Sequence, residues 1–196
     1  YKKNTGILKY TDFENFSARM NSSYNINKYV TIGENLTVTY SSQVDSAPME
    51  NALKMAPTVP VYEEDGVTFA GPVGGMSDRQ NPLREMYHNR NNSLDYWRVF
   101  GNAFVEIKPF KGFTFRSNFG IDFYSSFINA MTPTYHSDIV NNDIAKTTLS
   151  HNNETNWTWS NTINYNFKFA DKHDIPVLLG TEMNKQVVVD FSAYSE

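Results

Sequence analysis

The chain contains no cysteine among its 196 residues. That excludes a disulfide framework and any thiolate-bound metal. Long apolar runs are missing too: no stretch of about 18 apolar residues occurs, so no helix of this chain crosses a bilayer. A membrane β-barrel passes that test, because its strands alternate apolar and polar residues and carry a far weaker signal. Charged side chains are sparse at 19%, a low share for a soluble domain. The net charge of −4 offers no basic footprint, so no nucleic-acid partner is expected.

Aromatic residues are abundant at 15%, yet the mean hydropathy is −0.52, because Asn, Ser and Thr fill the positions between them. That mixture suits strands joined by wet loops and does not suit helices. The length allows a single domain. The chain opens on "YKKNTGILKY" and closes on "FSAYSE" without the pattern of a secretory leader. It reads as a fragment, 1–196, of one longer domain.

Alternation is plainest in "FTFRSNFGIDFYSSF". Phe113, Phe115, Phe119, Ile121, Phe123 and Phe127 fall on one face; Thr114, Arg116, Asn118, Asp122 and Tyr124 fall on the other. "VTIGENLTVTY" sets Val30, Ile32, Leu36, Val38 and Tyr40 against Thr31, Asn35, Thr37 and Thr39, with Glu34 as an exception on the apolar side. "ENFSARMNSSYNI", "WRVFGNAFVEI" and "TNWTWSNTINYNFKF" alternate in the same way. "HDIPVLLGTEMNKQVVVDFSAY" alternates less cleanly, and its Pro176 belongs at a strand start, an edge or a bulge. The reading is all-β: an antiparallel up-and-down meander of about six long strands.

The connections separate the architectures compatible with this pattern. Short turns are expected at Asn25–Lys28, Lys108–Gly112 and Ala170–Asp174, all on one side, with Lys28, Lys108, Lys111, Lys168 and Lys172 gathered there. Long connections are expected over about 43–92 and 126–153. Structureless loops of that length are uncommon in compact domains, whereas outer-membrane barrels pair short periplasmic turns with long extracellular loops. The favoured expectation is a partial segment of a transmembrane β-barrel, with the phenylalanine face toward outer-membrane lipid. A soluble β-sandwich that binds glycans has the same strand pattern and remains the alternative. A structural surface protein without a ligand is a third reading.

Several stretches in order then carry a resemblance: "TDFENFSARMNSSYNINKYVTIGENLTVTYS", "NALKMAPTVPVYEEDG", "VFGNAFVEIKPFKGFTFRSNFGID" and "NWTWSNTINYNFKFADKHDIPVLLGTE". Together they resemble the SusC/RagA family of TonB-dependent outer-membrane transporters of Bacteroidetes. The resemblance implies a barrel strand segment without the plug domain or TonB box. It also implies import of oligosaccharides or peptides with a SusD-like surface lipoprotein, energised by TonB–ExbB–ExbD through the N-terminal part missing from this sequence.

Candidate chemistry is confined to binding. His88, His136, His151 and His173 lack metal-ligand spacing, so neither a metal nor a cofactor is expected. "YEEDG" lacks the alternating ligands of a calcium loop and reads as a turn. "GPVGG" has no Lys-Ser/Thr after it and is no phosphate loop. No catalytic set is expected. The segment "SDRQNPLREMYHNRNNSLDYWR" gathers Asp78, Arg79, Arg84, Tyr87, His88, Tyr96 and Trp97 as candidate substrate-binding residues, with Arg90 and Asp95 nearby. Aromatic platforms flanked by donors suit capture of a sugar or peptide, and arginine matches a carboxylate with two bonds. Loop-to-loop packing, or contact with the lipoprotein, is the competing role. Arg19, Arg98, Glu106, Arg116 and Asp122 are expected to face the lumen, either along a permeation route or paired across strands.

Overall fold

The alternating segments pair side by side in the computed structural model, which describes residues 1–44, 48–76, 79–136, 139–169 and 173–196. The strands are β1 (Lys2–Thr5), β2 (Asp12–Asn25), β3 (Val30–Gln43), β4 (Ser93–Ile107), β5 (Phe113–Thr132), β6 (Lys146–Phe169) and β7 (His173–Ser195). They form one antiparallel sheet in which spatial order equals chain order.

Register sorts the side chains, because residues directly opposite in an antiparallel pair share a face. Phe119 lies between Ala103 and Trp159, Phe123 between Val99 and Thr155, and Phe115 between Ile107 and Ile163. The same face continues through Ile32, Leu36 and Val38 of β3 and through Leu179 and Met183 of β7. The opposite face carries hydrogen-bonded amides: Asn35 Nδ2 donates to Asn102 Oδ1 at 3.3 Å, and Asn102 donates in turn to Asn118.

The apolar face is uncovered. Among the described residues the buried hydrophobic core amounts to Ala70, while Phe119 is 48% exposed and Met183 52%. A β-sandwich buries the facing apolar sides of two sheets. All seven strands here belong to a single sheet, so the sandwich architecture is not what these residues build.

The six long strands expected are β2–β7; a short seventh, β1, "KKNT", is too short and too polar to show alternation, and it is held by its pairing with β2. One expectation needs correction: the second long connection is shorter than expected. β5 runs to Thr132 and β6 begins at Lys146, leaving 133–145 in place of 126–153. The added ladder pairs residues such as Ala130 with Thr148 and Ser126 with Asn152. These residues alternate in direction without alternating in polarity, so hydropathy could not mark them as strand.

Short connections join β2 to β3 and β4 to β5 at one end of the sheet. The first is closed by Asn27, whose Oδ1 accepts from Tyr29 N at 2.8 Å and Val30 N at 3.0 Å. The second turns on Gly112 at φ +87°, where an added Cβ would lie 2.4 Å from Asn166 O. The β6–β7 turn expected at Ala170–Asp174 falls largely on 170–172, outside the described residues, although Phe169 and His173 pair at that same end. Pro176 sits in β7, at the sheet edge, where a missing donor costs least. The opposite end carries the connections 6–11, 44–92 and 133–145. The middle one contains two helices, α1 (Met49–Lys54) and α2 (Pro82–Asn89).

Candidate functional site: a cleft built by three connections

The "EEDG" segment closes a small hairpin. Tyr62 and Phe69 form an antiparallel bridge, Glu63 N donates to Thr68 O at 2.8 Å, and Ala70 N donates to Val61 O at 3.1 Å. Asp65 organises the bend: Oδ1 accepts from Val67 N and Thr68 N, both at 2.8 Å, and Oδ2 accepts from Thr68 Oγ1 at 2.6 Å. The Thr68 hydroxyl, helped by the two backbone donors, holds the Asp65 carboxyl below the usual carboxylate range.

Asn81 joins this hairpin to α2. Its Oδ1 caps the helix, accepting from Leu83 N at 3.0 Å and Arg84 N at 3.4 Å. Pro82 follows at the first helical position, where its missing donor is harmless. The other end of the same amide donates to Val61 O and Ala70 O, both at 2.9 Å. A buried side chain thus satisfies two hairpin carbonyls and the helix start together. Helix α1 is tied in by Asn51 Nδ2, which donates to Glu85 Oε2 at 2.6 Å.

This scaffold walls a cleft of about 540 Å³. Tyr10 enters from the 6–11 connection; Tyr62, Phe69, Arg84, Tyr87 and His88 come from 44–92; Tyr135 and His136 come from 133–145. The rings touch in series. Tyr62 stacks on Phe69 at 5.2 Å between centroids, Phe69 lies 5.6 Å from Tyr87, Tyr10 meets Tyr87 edge-on at 6.0 Å, and His88 lies 5.8 Å from Tyr135. Such offset and edge contacts make an aromatic wall with phenol hydroxyls as its polar handles.

Arg84 is the charged group of the cleft. It is 3% exposed, its guanidinium carbon lies 3.9 Å from the centre of the Tyr135 ring, and Nε, Nη1 and Nη2 have no hydrogen-bond partner among the described residues. Burial weakens its hold on the proton, but an arginine stays charged. His88 is held below its ordinary pKa, first by burial and then by the positive charges of Arg84 and Arg90. The imidazole is therefore neutral at neutral pH and can both donate and accept.

Of the substrate-binding candidates, Arg84, Tyr87 and His88 stand together in this cleft. Arg79 instead reaches Glu50 of α1 at 3.2 Å, and Asp78 lies outside the described residues. Tyr96 and Trp97 are in β4 and do not line the cleft: Tyr96 packs 5.7 Å from Tyr124, and Trp97 packs 4.8 Å from Tyr40 on the apolar face. Sequence reasoning did not single out Tyr10, Tyr62, Phe69, Asn81 or Tyr135. The Asn81–Pro82 pair was a usable signal, since Asn followed by Pro marks a helix start. The aromatic partners, scattered over three connections, left none.

Arg19, Arg98, Glu106, Arg116 and Asp122 share the polar face of the sheet. Arg116 lies 3.7 Å from Glu106 and over the Phe104 ring at 3.9 Å, and Lys108 closes on Glu106 at 2.6 Å. Arg98 pairs with Asp122.

No protein-family model matches the chain. Two TonB-dependent receptors of Formosa agariphila are similar to it, one 26% identical over 189 residues and the other 24% identical over 190, each alignment covering 94% of this chain. The chain spans only about a fifth of their length, 19% and 18%. The solved RagAB peptide transporter contains the same fold, with a TM-score of 0.70, 18% identity, and coverage of 94% of this chain and 22% of that one. The RagAB peptide importer in its open-open state superimposes with a TM-score of 0.65 at 19% identity, covering 94% of this chain and 21% of its own.

Proposed function

We infer that this chain is a stretch of the barrel wall of a SusC/RagA-type TonB-dependent outer-membrane receptor, and that the receptor imports a nutrient. The observation that carries this is the uncovered apolar face of a meander whose connections are short at one end and longer at the other. A single open sheet with such a face is stable only against an apolar environment. Lipid supplies that environment when neighbouring strands complete the barrel. About 9–11 tilted residues cross the hydrocarbon layer, whereas β6 has 24. The strands therefore project beyond the lipid on the long-connection side, with water on both faces, which accounts for the loss of polarity alternation there.

In this orientation the aromatic cleft is extracellular. It meets substrate before the substrate enters the barrel, or it meets the SusD-like lipoprotein that captures it. The polar face, with Arg19, Arg98, Glu106, Arg116 and Asp122, lines the lumen. Oligosaccharides and peptides are the substrate classes this surface suits, and TonB–ExbB–ExbD acts through parts of the receptor outside this chain. The protein is not an enzyme.

The test uses the full-length receptor. Folded barrel is recognised by its heat-modifiable gel mobility, and transport by TonB-dependent growth on the candidate nutrient. Deleting 79–90 is expected to leave the mobility shift intact while reducing growth or co-purification of the lipoprotein. Loss of the shift would make the segment structural, and unchanged growth and co-purification would make it packing.

A further inference from the structure

We propose that Arg84 forms the carboxylate-binding subsite of the outer cleft and that its ligand is an acidic oligosaccharide of the uronate type. The inference rests on the reading of the chain as part of an importer whose cleft meets substrate.

The argument begins with an imbalance. A buried guanidinium without acceptors is costly, and native proteins seldom leave buried donors unmade. Three nitrogens of Arg84 are in that condition among the described residues. The acid next in sequence, Glu85, already accepts from Asn51, and among the described residues no Asp or Glu lines the cleft. The position is not accidental slack, because the Asn81 cap sets the helix turn that carries Arg84, and the Tyr135 ring lies against the guanidinium. An incoming anion would complete the group. One guanidinium beside a neutral imidazole matches a single negative charge, and the planar fork matches the two oxygens of a carboxylate.

The surroundings favour a sugar as the body bearing that carboxylate. The rings of Tyr62, Phe69 and Tyr87 line the cleft with apolar carbon, while the phenol hydroxyls and the His88 imidazole supply hydrogen-bonding groups. A sugar ring presents this combination of an apolar face and a hydroxylated rim. An extended peptide is bound chiefly by pairing its backbone to a free strand edge. This wall is built of ring side chains contributed by three connections.

Isothermal titration of the detergent-purified full-length receptor tests this, with tetragalacturonate, its methyl-esterified neutral form and tetra-alanine as probes. Tetragalacturonate is expected to bind, and esterification or Arg84→Gln is expected to weaken it by about tenfold or more, one charge-assisted pair being lost. Arg84→Lys is expected to recover only part of the affinity, since it keeps the charge without the fork. Equal binding of the acid and its ester overturns the proposal, as does absent binding of tetragalacturonate or binding of tetra-alanine alone. Should Arg84→Gln lose the heat-modifiable mobility shift, the ester comparison on the unaltered receptor decides the matter. Failure of the importer reading is visible separately, as a receptor without a mobility shift or without TonB-dependent growth on any nutrient.

Discussion

Arg98 of β4 and Asp122 of β5 meet through two hydrogen bonds, Nε to Oδ1 at 2.9 Å and Nη2 to Oδ2 at 2.8 Å. They are not direct partners in the ladder: Arg98 stands opposite Tyr124, and Asp122 stands opposite Phe100. The pair is therefore a diagonal brace on the polar face. Both side chains remain partly exposed, at 52% and 29%, which limits its energetic value. Asp122→Asn is expected to lower the unfolding free energy of the full barrel by about 1 kcal/mol or less, read from urea refolding titrations. A larger loss would mean the pair is far less hydrated than its exposure indicates.

Neighbours in sequence separate the two faces more sharply. Phe119 and Asn118 are adjacent but point to opposite sides of β5. Arginine at Phe119 is expected to cost about 2–4 kcal/mol if the residue stands near the bilayer midplane. Arginine at Asn118 is expected to be mild. Equal losses at both positions in refolding titrations would remove lipid from the apolar face.

Gly112 fixes the turn that sets the β4–β5 register. Its positive φ and the 2.4 Å approach of Asn166 O leave no room for a Cβ. Gly112→Val is expected to slow or block barrel assembly, measured as a smaller heat-modifiable fraction. Gly66→Ala, in open space at φ +68°, is expected to leave that fraction unchanged and to strain only the local bend.

Asn81→Ala removes the α2 cap and takes the side-chain donor from Ala70 O, while Val61 O keeps its bond from Ala70 N. The cap alone is worth about 0.5–2 kcal/mol, and the buried orphan adds about 1–3 kcal/mol. Protease nicking within 48–92 of the full-length receptor is expected to accelerate while the barrel keeps its mobility shift. Unchanged nicking would show that the outer scaffold is held by other contacts.

Acid is expected to open the 61–70 hairpin. The folded Asp65 carboxyl titrates below its unfolded value of about 3.9, so its stabilising contribution is complete above that value and is lost as pH falls through the folded pKa. Amide exchange at Val67 and Thr68 is expected to stay protected at pH 5 and to lose protection only under stronger acid. Asp65→Ala is expected to abolish the protection at both. Protection indifferent to Asp65 would assign the bend to Gly66 alone.

The sequence by itself determined the alternating stretches of the strands and the side each of their residues takes. A two-residue period is local, and Phe113–Phe127 needs no distant partner to sort its phenylalanines from its polar residues. The short turn at Lys108–Gly112 was equally legible, because a bend at a glycine with positive φ is a property of a few consecutive residues. The end of β5 beyond Phe127 and the start of β6 before Thr155 were not legible, since these residues keep a strand's direction without a hydropathy pattern. Only the tertiary structure decided which outer residues meet. Tyr10, Phe69 and Tyr135 share a cleft because the meander brings three connections to one end of the sheet. Arg84 is buried there because Asn81 fastens its helix to a hairpin that begins twenty residues earlier. Burial and pairing are sums over neighbours from different parts of the chain, and no window of sequence contains those neighbours.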